Sequence, residues 1–276
     1  MSKYILEMKD VDFEYPGGIM ALKGVSMAIE KGKRIAVLGP NGAGKSTLFL
    51  HFNGILRPKR GRVFYKGEEI RYTRSFLAKL RKNVGIVFQD PDTQLLAGSV
   101  FQEVSFGPVN LNLPFSEVKR KVEEALKATE IEELKDRPVH FLSYGQKKRA
   151  TIADVLSMEP EVIIFDEPTA YLDPKHSEKL IEIIEKLYQE GKQIILSTHD
   201  VNLAYSWADR IFVMKDGMVI DSGTPLEVFQ NDALLKAADL KKPLLLEISL
   251  VLREKGLLSC RLPRSVGELK EGLQTR

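Results

Sequence analysis

The residues from Gly39 to Thr47 form the clearest chemical pattern in the chain. They read Gly-Pro-Asn-Gly-Ala-Gly-Lys-Ser-Thr and fit the spacing G-x-x-x-x-G-K-[ST]. An apolar run (35–38) precedes them and a helical pattern (46–52) follows, which is the context that a phosphate-binding loop requires. The glycines leave backbone N–H groups free to surround phosphate oxygens, and the helix N-terminus adds a positive potential. The pattern therefore predicts a nucleotide site.

The polar side chains of this loop indicate a nucleoside triphosphate bound together with a divalent cation. Lys45 would neutralise the β- and γ-phosphate oxygens, and the Ser46 hydroxyl would bind Mg²⁺, a hard cation that prefers oxygen. ATP and Mg²⁺ are the predicted ligands. The loop residues predicted to contact ATP are Gly39, Pro40, Asn41, Gly42, Ala43, Gly44, Lys45, Ser46 and Thr47.

Two acids, Asp166 and Glu167, follow a second apolar run at 162–165. A buried strand ending here would place both carboxylates at the carboxyl edge of a sheet, beside the phosphate loop. Asp166 is then suited to hold Mg²⁺, and Glu167 to orient or deprotonate the attacking water. Taken without the phosphate loop, two acids after a strand are more often simply solvated loop residues.

The elements that must position these residues form an alternating pattern. Apolar runs too short for helices predict buried parallel strands at 35–38, 84–88, 162–165 and 194–196. Apolar residues at three- and four-residue spacing predict helices at 46–52, 116–129, 146–157 and 177–189. β-rich runs at 4–8, 11–15 and 25–29 predict an antiparallel β edge. The predicted fold class is α/β, a P-loop NTPase with a mainly parallel core sheet.

The composition limits the class of protein. The 276 residues are 43% hydrophobic and 29% charged, which is typical of a soluble protein with one large domain and a small appendage. The net charge of +3 and the lack of a long basic block do not require a nucleic-acid partner. Cys260 is the only cysteine, which excludes an internal disulfide and favours a reducing cytosol. No apolar run approaches the roughly 18 residues that span a bilayer, so membrane passage is expected of partner proteins.

The segment Leu142 to Arg149, Leu-Ser-Tyr-Gly-Gln-Lys-Lys-Arg, identifies the family among the many NTPases that share a phosphate loop. It resembles the ABC ATPase signature, usually Leu-Ser-Gly-Gly-Gln, and Ser143 stands 23 residues before Asp166, as that family places it. Tyr144 departs from the commoner glycine. A hydroxyl and backbone N–H groups at a helix N-terminus would form a second anion site. For Ser143 alone, a plain N-cap is the alternative.

The resemblance covers residues 3–230 and assigns roles to residues that would otherwise be unremarkable. It implies that Gln89 senses the γ-phosphate and the metal, that Asp173 contacts the opposite subunit, and that His199 contacts the γ-phosphate. Tyr15 resembles the aromatic that stacks on adenine, although a core aromatic is the alternative. The implied catalytic residues are Glu167, His199, Gln89 and Lys45. Further ATP contacts are Tyr15, Ser143, Gly145, Gln146 and Asp173, and the metal ligands are Ser46, Gln89 and Asp166.

In ABC ATPases the signature of one subunit covers the ATP held by another, and this chain has one of each. The resemblance therefore implies a homodimer, or a heterodimer with a similar ATPase subunit, that ATP closes and hydrolysis reopens. The predicted organisation is a nucleotide-binding domain over 1–232 and a helical C-terminal tail over 233–276. A helical signature subdomain is predicted within the domain at about 76–157.

The segments Phe88 to Leu96 and Glu103 to Pro108 resemble the energy-coupling factor branch of ABC importers. The resemblance implies a groove after Gln89 for a coupling helix of the transmembrane subunit, and Asp90, Asp92 or Glu103 are predicted to supply acidic contacts to it. It also implies a tail that joins two ATPases. The apolar block at 244–252 fits that tail, or alternatively packs on its own domain.

The signature segment is most similar to that of cobalt- or nickel-type members, and a vitamin is the other substrate class considered. The implied partners are a transmembrane coupling subunit and a substrate-binding membrane subunit, at the cytoplasmic face of the membrane. A non-transport ABC protein of translation or DNA repair is the rival hypothesis, although such proteins usually carry two cassettes or a long coiled-coil insertion. A small-molecule P-loop kinase is a third hypothesis, which the signature disfavours.

Overall fold

A computed structural model describes residues 2–258 and 261–274, so Cys260 lies outside the described residues. The strands are β1 (Tyr4–Tyr15), β2 (Ile19–Glu30), β3 (Ile35–Leu38), β4 (Arg60–Tyr65), β5 (Glu68–Glu69), β6 (Val84–Val87), β7 (Val162–Phe165), β8 (Gln193–Thr198), β9 (Arg210–Lys215) and β10 (Met218–Gly223). The helices are α1 (Lys45–Phe52), α2 (Arg74–Asn83), α3 (Val100–Asn110), α4 (Phe115–Ala128), α5 (Tyr144–Leu156), α6 (Pro174–Gln189), α7 (Val201–Trp207), α8 (Pro225–Gln230), α9 (Asp232–Ala237), α10 (Leu244–Glu254) and α11 (Val266–Gln274).

Two sheets organise the molecule. The six-stranded sheet has the order β10-β9-β3-β8-β7-β6, in which only β10 runs antiparallel to its neighbour. The four-stranded sheet has the order β2-β1-β4-β5 and is antiparallel throughout. The predicted α/β class with a mainly parallel core sheet and an antiparallel edge is confirmed.

The short apolar runs form the central strands because both faces of the sheet are covered. In β3, Ile35 and Val37 belong to the hydrophobic cluster shared with β1, β2 and α1, whereas Ala36 and Leu38 belong to the cluster shared with the other helices. Successive side chains of a strand point to opposite faces, so a strand buried on both faces must be continuously apolar.

Several predicted boundaries differ from the structure, two of them in ways that affect the architecture. The runs at 4–8 and 11–15 belong to one strand, β1. The residues between them form a bulge, where the register shifts between Met8 and Val11 and Asp10 adopts a φ of 50°, so the strand continues through them. The predicted helical subdomain of about 76–157 begins too early, since β6 within that range belongs to the six-stranded sheet. The helices that pack on one another are α3, α4 and α5.

The C-terminal segment packs on the preceding domain through one face. Leu246 of α10 is fully buried in the main hydrophobic cluster, and the Tyr205 hydroxyl donates to the carbonyl of Pro263 at 2.9 Å. Leu244, Ile248 and Val251 remain 63%, 44% and 50% exposed. Their spacing places them on one face of α10, which forms an apolar stripe. Within 2–258 and 261–274, none of the helices has the length and apolar character needed to cross a membrane.

Candidate active site

Four neighbouring parallel strands end at one edge of the central sheet and carry the predicted site. In spatial order these are β3, β8, β7 and β6. Leu38 pairs with Thr198, Leu196 with Phe165, and Phe165 with Val87, so the strand ends are aligned. The residues that follow the strands directly are the phosphate loop, His199, the Asp166–Glu167 pair and the segment containing Gln89. Residues far apart in the sequence are brought together here because parallel strands share one carboxyl edge.

The glycines of the phosphate loop are required by close backbone packing. A Cβ on Gly39 would lie 2.3 Å from the carbonyl oxygen of Met214. A Cβ on Gly44 would lie 2.7 Å from the carbonyl oxygen of Ala21, and its φ of 100° is unfavourable for residues with side chains. Gly44 is the N-cap of α1, so the loop leads directly into the N-terminus of a helix, where backbone N–H groups lack intrahelical partners.

Lys45 lies at the centre of the site with its ammonium group buried. Its Nζ donates to the carbonyl oxygens of Gly39 at 2.8 Å and Pro40 at 3.1 Å. The same Nζ lies 3.1 Å from Oε1 of Glu167, and both side chains are less than 10% exposed. The strand β3 and the strand β7 are thus connected through an ion pair at their carboxyl ends.

Asp166 and Glu167 are held by Ser197 of the adjacent strand β8. The Ser197 hydroxyl donates to Oδ1 of Asp166 at 2.6 Å and accepts from the backbone N–H of Glu167 at 2.9 Å. Because these groups are buried, the single hydroxyl fixes both acids relative to the sheet. Sequence reasoning missed Ser197, although a serine near the end of a fully buried apolar strand was a usable signal.

Glu167 adopts a left-handed backbone conformation with a φ of 46°, which is uncommon outside glycine. Its Oε2 lies 2.8 Å from Nδ1 of His199, so the ring nitrogen must carry the proton for a hydrogen bond to form. Its buried Oε1 makes the ion contact with Lys45 but no hydrogen bond. A buried carboxylate oxygen with unused acceptor capacity next to a His can position or deprotonate a water.

The two hydroxyl-bearing residues of α1 differ in their exposure to solvent. Ser46 is exposed, whereas Thr47 is buried and its Oγ1 lies 3.2 Å from the hydroxyl of Tyr15. Tyr15 also packs edge-on against Phe13, with ring centroids 4.9 Å apart. The aromatic predicted to stack on adenine therefore lies directly beside the phosphate loop.

The signature residues begin α5. Ser143 is the N-cap of this helix and forms a capping box with Gln146, in which the Ser143 N–H donates to Oε1 of Gln146 at 2.9 Å. The helix begins at Tyr144, two residues before the predicted start. Ser143 thus serves as a plain N-cap, which was the alternative considered for it. An anion contact by Ser143 would be a second function of the same residue.

Asp173 caps α6 and lies next to the signature. Its carboxylate accepts from the backbone N–H of His176 at 2.9 Å and lies 2.6 Å from that residue's Nδ1. A Cβ on Gly145 would approach the His176 ring to 3.0 Å. Gly145 therefore permits close packing between the signature and the segment that carries Asp173.

Gln89 lies on the same sheet edge, and its backbone carbonyl is bound by α5. Tyr144 donates to this carbonyl at 3.3 Å, and the ammonium group of Lys148 donates to it as well. Burial lowers the pKa of Lys148 to about 8, while the nearby Asp166 carboxylate acts in the opposite direction. Burial also raises the pKa of Tyr144. Neither Tyr144 nor Lys148 was predicted from the sequence.

The structure corrects one of the predicted acidic contacts. Glu103 is only 5% exposed, and its Oε2 accepts from the backbone N–H groups of Leu96 and Ala97 at 2.7 and 2.6 Å. The prediction that Glu103 contacts a partner is wrong, because this carboxylate is used to hold the loop before α3. Asp92 is exposed and forms an ion pair of 2.6 Å with Lys147.

The donor set fits a nucleotide with Mg²⁺. Within 2–258 and 261–274, no group of three or more His, Cys, Asp or Glu side chains is arranged to hold a metal ion. One hydroxyl, Ser46, and one carboxylate, Asp166, next to a phosphate loop are what Mg²⁺ requires when phosphate oxygens and water complete its shell. A cavity of about 1150 Å³ borders the site at Asn41, Gln89 and His199.

Comparison with known proteins agrees with this geometry. The family model described as ABC transporter matches residues 22–170. The chain is 47% identical to an energy-coupling factor transporter ATP-binding protein of Methanocaldococcus jannaschii, over 98% of this chain and 97% of that protein. It is 45% identical to another protein of that description from Clostridium perfringens, over 100% and 97% of the two chains.

Solved structures show the same fold. The structure of cbiO1 from Clostridium perfringens, described as part of the ABC transporter complex cbiONQ, is 46% identical with a TM-score of 0.77, over 92% of this chain and 98% of that chain. An ATP-binding cassette solved as a dimer with ADP and Pi is 30% identical with a TM-score of 0.73, over 80% and 98%. The identities of 47% and 45% over almost the whole chain show the family as well as the fold. The chain belongs to the ABC transporter family and is an ATP-hydrolysing, ATP-binding subunit of the energy-coupling factor type.

Proposed function

We propose that this ATPase energises an importer of cobalt or nickel ions, with a vitamin as the other candidate substrate, and that it acts as a pair of ATPase subunits at the cytoplasmic face of the membrane. The observation that supports the motor function is the alignment of the phosphate loop, Gln89, Glu167 and His199 along one sheet edge. The metal substrate is supported by the resemblance of residues 143–149 to cobalt- and nickel-type members.

The side chains of the site have distinct roles in the proposed hydrolysis. Lys45 exchanges its contact with Glu167 for phosphate oxygens, which releases the Glu167 carboxylate to accept a hydrogen bond from water. Glu167 then orients and deprotonates this water, and His199 holds the carboxylate from its other oxygen. Ser46, Asp166 and Gln89 would hold Mg²⁺, which when bound neutralises phosphate charge.

The proposed dimer completes each site. Ser143, Gly145 and Gln146 lie at the N-terminus of α5, where unpaired backbone N–H groups favour an anion. Each signature would cover the ATP held by the partner, so that ATP binding closes the pair and hydrolysis reopens it. Asp173 is exposed and is proposed to contact the opposite subunit.

The exposed apolar stripe of α10 supports a second contact between subunits. Leu246 and Ser249 on the opposite face are fully buried against the domain, so α10 is anchored while Leu244, Ile248 and Val251 remain available. We therefore propose a domain over 1–232 and a tail over 233–276, in which the tail both packs on its own domain and joins the subunits.

The proposed pair is tested with Glu167→Gln, which removes the carboxylate and keeps its size. Hydrolysis should fall by roughly 10²- to 10⁴-fold while ATP binding survives, so the variant should accumulate as an ATP-stabilised dimer in light scattering. Adding Ser143→Arg should prevent this dimer, because a bulky cation opposes the positive end of α5. An ATP-dependent dimer that persists in the double variant would refute the composite site.

The proposed substrate is tested in cells that carry the chain together with its membrane subunits. Uptake of radioactive Co²⁺ or Ni²⁺ should depend on the wild-type chain and be lost with Glu167→Gln. Uptake of neither metal, in cells where the membrane complex is isolated intact, would reject the metal substrate and leave the vitamin.

A further inference from the structure

Two side chains of the signature helix hold the backbone carbonyl of Gln89. Tyr144 and Lys148 are four residues apart, so they project from the same face of α5. The Tyr144 hydroxyl lies 3.3 Å from the carbonyl oxygen of Gln89, and Lys148 donates both to that oxygen and, at 3.5 Å, to the carbonyl of Phe88. Lys148 is only 1% exposed, so this cation depends on the two carbonyls for its hydrogen bonds.

Further contacts attach the sensor segment, residues 88–94, to the same helix. Lys147 pairs with Asp92 at 2.6 Å. Asp154, two turns further along α5, accepts from Nε2 of Gln94 at 3.2 Å, and Oε1 of Gln94 accepts from the N–H of Phe88 at 3.2 Å. The sensor segment is therefore held along three turns of α5, and a movement of one must displace the other.

Tyr144 also reaches the segment that follows Asp166 and Glu167. Its ring packs edge-on against Tyr171, with centroids 6.0 Å apart and an interplanar angle of 85°. Tyr171 adopts a φ of 63° and is two residues before Asp173. The position at which this chain departs from the usual signature glycine is thus occupied by a side chain that contacts two other parts of the site.

We propose that Tyr144 and Lys148 are positioning residues that couple the two ATP sites of the pair. This inference rests on the composite sites proposed above, in which a chain senses its own ATP through Gln89 and covers the partner's ATP through its signature. A change at Gln89 is transmitted through its carbonyl to the first turns of α5. Binding of ATP at the phosphate loop of one subunit therefore positions the signature of that subunit, which closes over the ATP of its partner.

The coupling separates two quantities that can be measured independently. The affinity of the monomer for ATP depends on the phosphate loop, which neither Tyr144 nor Lys148 contacts in the structure. Closure of the dimer depends on the position of the signature. Losing the three hydrogen bonds, two of them donated by the charged Lys148, should raise the ATP concentration needed for closure about tenfold.

The experiment compares Glu167→Gln with the same chain carrying Tyr144→Phe and Lys148→Met, which keep the ring and the side-chain length. Monomer affinity is measured with a fluorescent anthraniloyl derivative of ATP at protein concentrations below dimerisation, and closure is measured by light scattering across an ATP titration. The matched control is Tyr188→Phe, whose hydroxyl donates to the carbonyl of Gly32 at 3.0 Å, at the opposite edge of the sheet.

We expect the closure midpoint to rise about tenfold while monomer affinity stays within about twofold, and Tyr188→Phe to change neither. Closure at the parent's ATP concentration would overturn the coupling, and so would an equal loss of monomer affinity and closure. If the Glu167→Gln parent does not dimerise with ATP, the composite sites fail and the coupling fails with them. If the Glu167→Gln parent dimerises with ATP and the variant has the same closure midpoint, the coupling is refuted while the composite sites stand.

Discussion

Lys45 Nζ and Glu167 Oε1 lie 3.1 Å apart, although 122 positions separate the two residues along the chain. The contact joins the residue predicted to bind phosphate with the residue predicted to activate water. A polyphosphate must compete with Glu167 for this ammonium group, which ties the availability of the carboxylate to ligand binding.

Glu167→Gln is accordingly expected to bind ATP more tightly, by about tenfold, because it removes both the competitor for Lys45 and a negative charge near the phosphates. The measurement is a calorimetric titration with ATP in the absence of Mg²⁺ at protein concentrations below dimerisation. Glu161→Gln is the matched control, since Glu161 lies just before β7 at the opposite edge of the sheet and pairs with Lys66. Equal affinity in wild type and Glu167→Gln would show that the ion pair does not oppose binding.

Lys45→Ala is expected to abolish ATP hydrolysis and to weaken ATP binding by roughly 10- to 100-fold, since a charged hydrogen-bond donor to the phosphates is lost. Steady-state phosphate release and ATP titration of the purified variant measure the two effects. Hydrolysis at the wild-type rate would show that Lys45 is not part of the active site.

Ser197→Ala is expected to destabilise the protein by about 2 kcal/mol and to lower kcat, because the hydroxyl fixes Asp166 and the N–H of Glu167 in a buried environment. The control is Ser249→Ala. Ser249 is equally buried but lies in α10, where its hydroxyl donates to the carbonyl of Leu245 at 2.6 Å. Denaturant unfolding and phosphate release measure both variants. A kcat unchanged from wild type would show that Ser197 supports the fold alone.

Asp154→Asn is expected to change how stability depends on pH. Burial raises the pKa of Asp154 from 3.8 to about 7, with the hydrogen bond from Gln94 acting in the opposite direction and the nearby Glu103 carboxylate in the same direction. Between these values the folded state binds more protons than the unfolded state, so the free energy of unfolding falls as the pH rises, by at most about 1.4 kcal/mol per pH unit. The variant should lose this slope and be more stable than wild type above pH 7. Urea unfolding from pH 4 to 8 measures it.

The exposed Asp221 provides the control for this pH dependence, since Asp221→Asn removes a carboxylate that is not buried. Wild type and Asp154→Asn with parallel stability profiles across this pH range would contradict the assignment of the slope to Asp154.

Replacing Leu244, Ile248 and Val251 together with Lys is expected to weaken pairing of the ATPases while leaving thermal stability nearly unchanged, because these side chains are largely exposed on the stripe of α10. Light scattering with and without ATP measures the pairing. Phe115→Lys, at a side chain 71% exposed on α4, is the control for added charge at an apolar surface position. Pairing as strong as in wild type would leave the tail bound only to its own domain.

The sequence by itself determined the phosphate loop, the signature and the alternation of strands and helices. Each of these depends on local chemistry: glycine spacing and a helix start for the loop, and continuous apolar runs for strands buried on both faces. It also predicted that Asp166 and Glu167 lie beside the phosphate loop at one sheet edge, since parallel strands end on the same side.

The tertiary structure alone decided which side chains meet across that edge. The contacts of Ser197 with both acids and of α5 with the Gln89 carbonyl join residues distant in sequence, and Glu103 turns back onto the loop before α3. Hydrogen bonds of this kind depend on the register of neighbouring elements and on burial, which residue types and spacing do not specify. The same reason explains why Glu103 was predicted to contact a partner, whereas its buried carboxylate accepts from the N–H groups of Leu96 and Ala97.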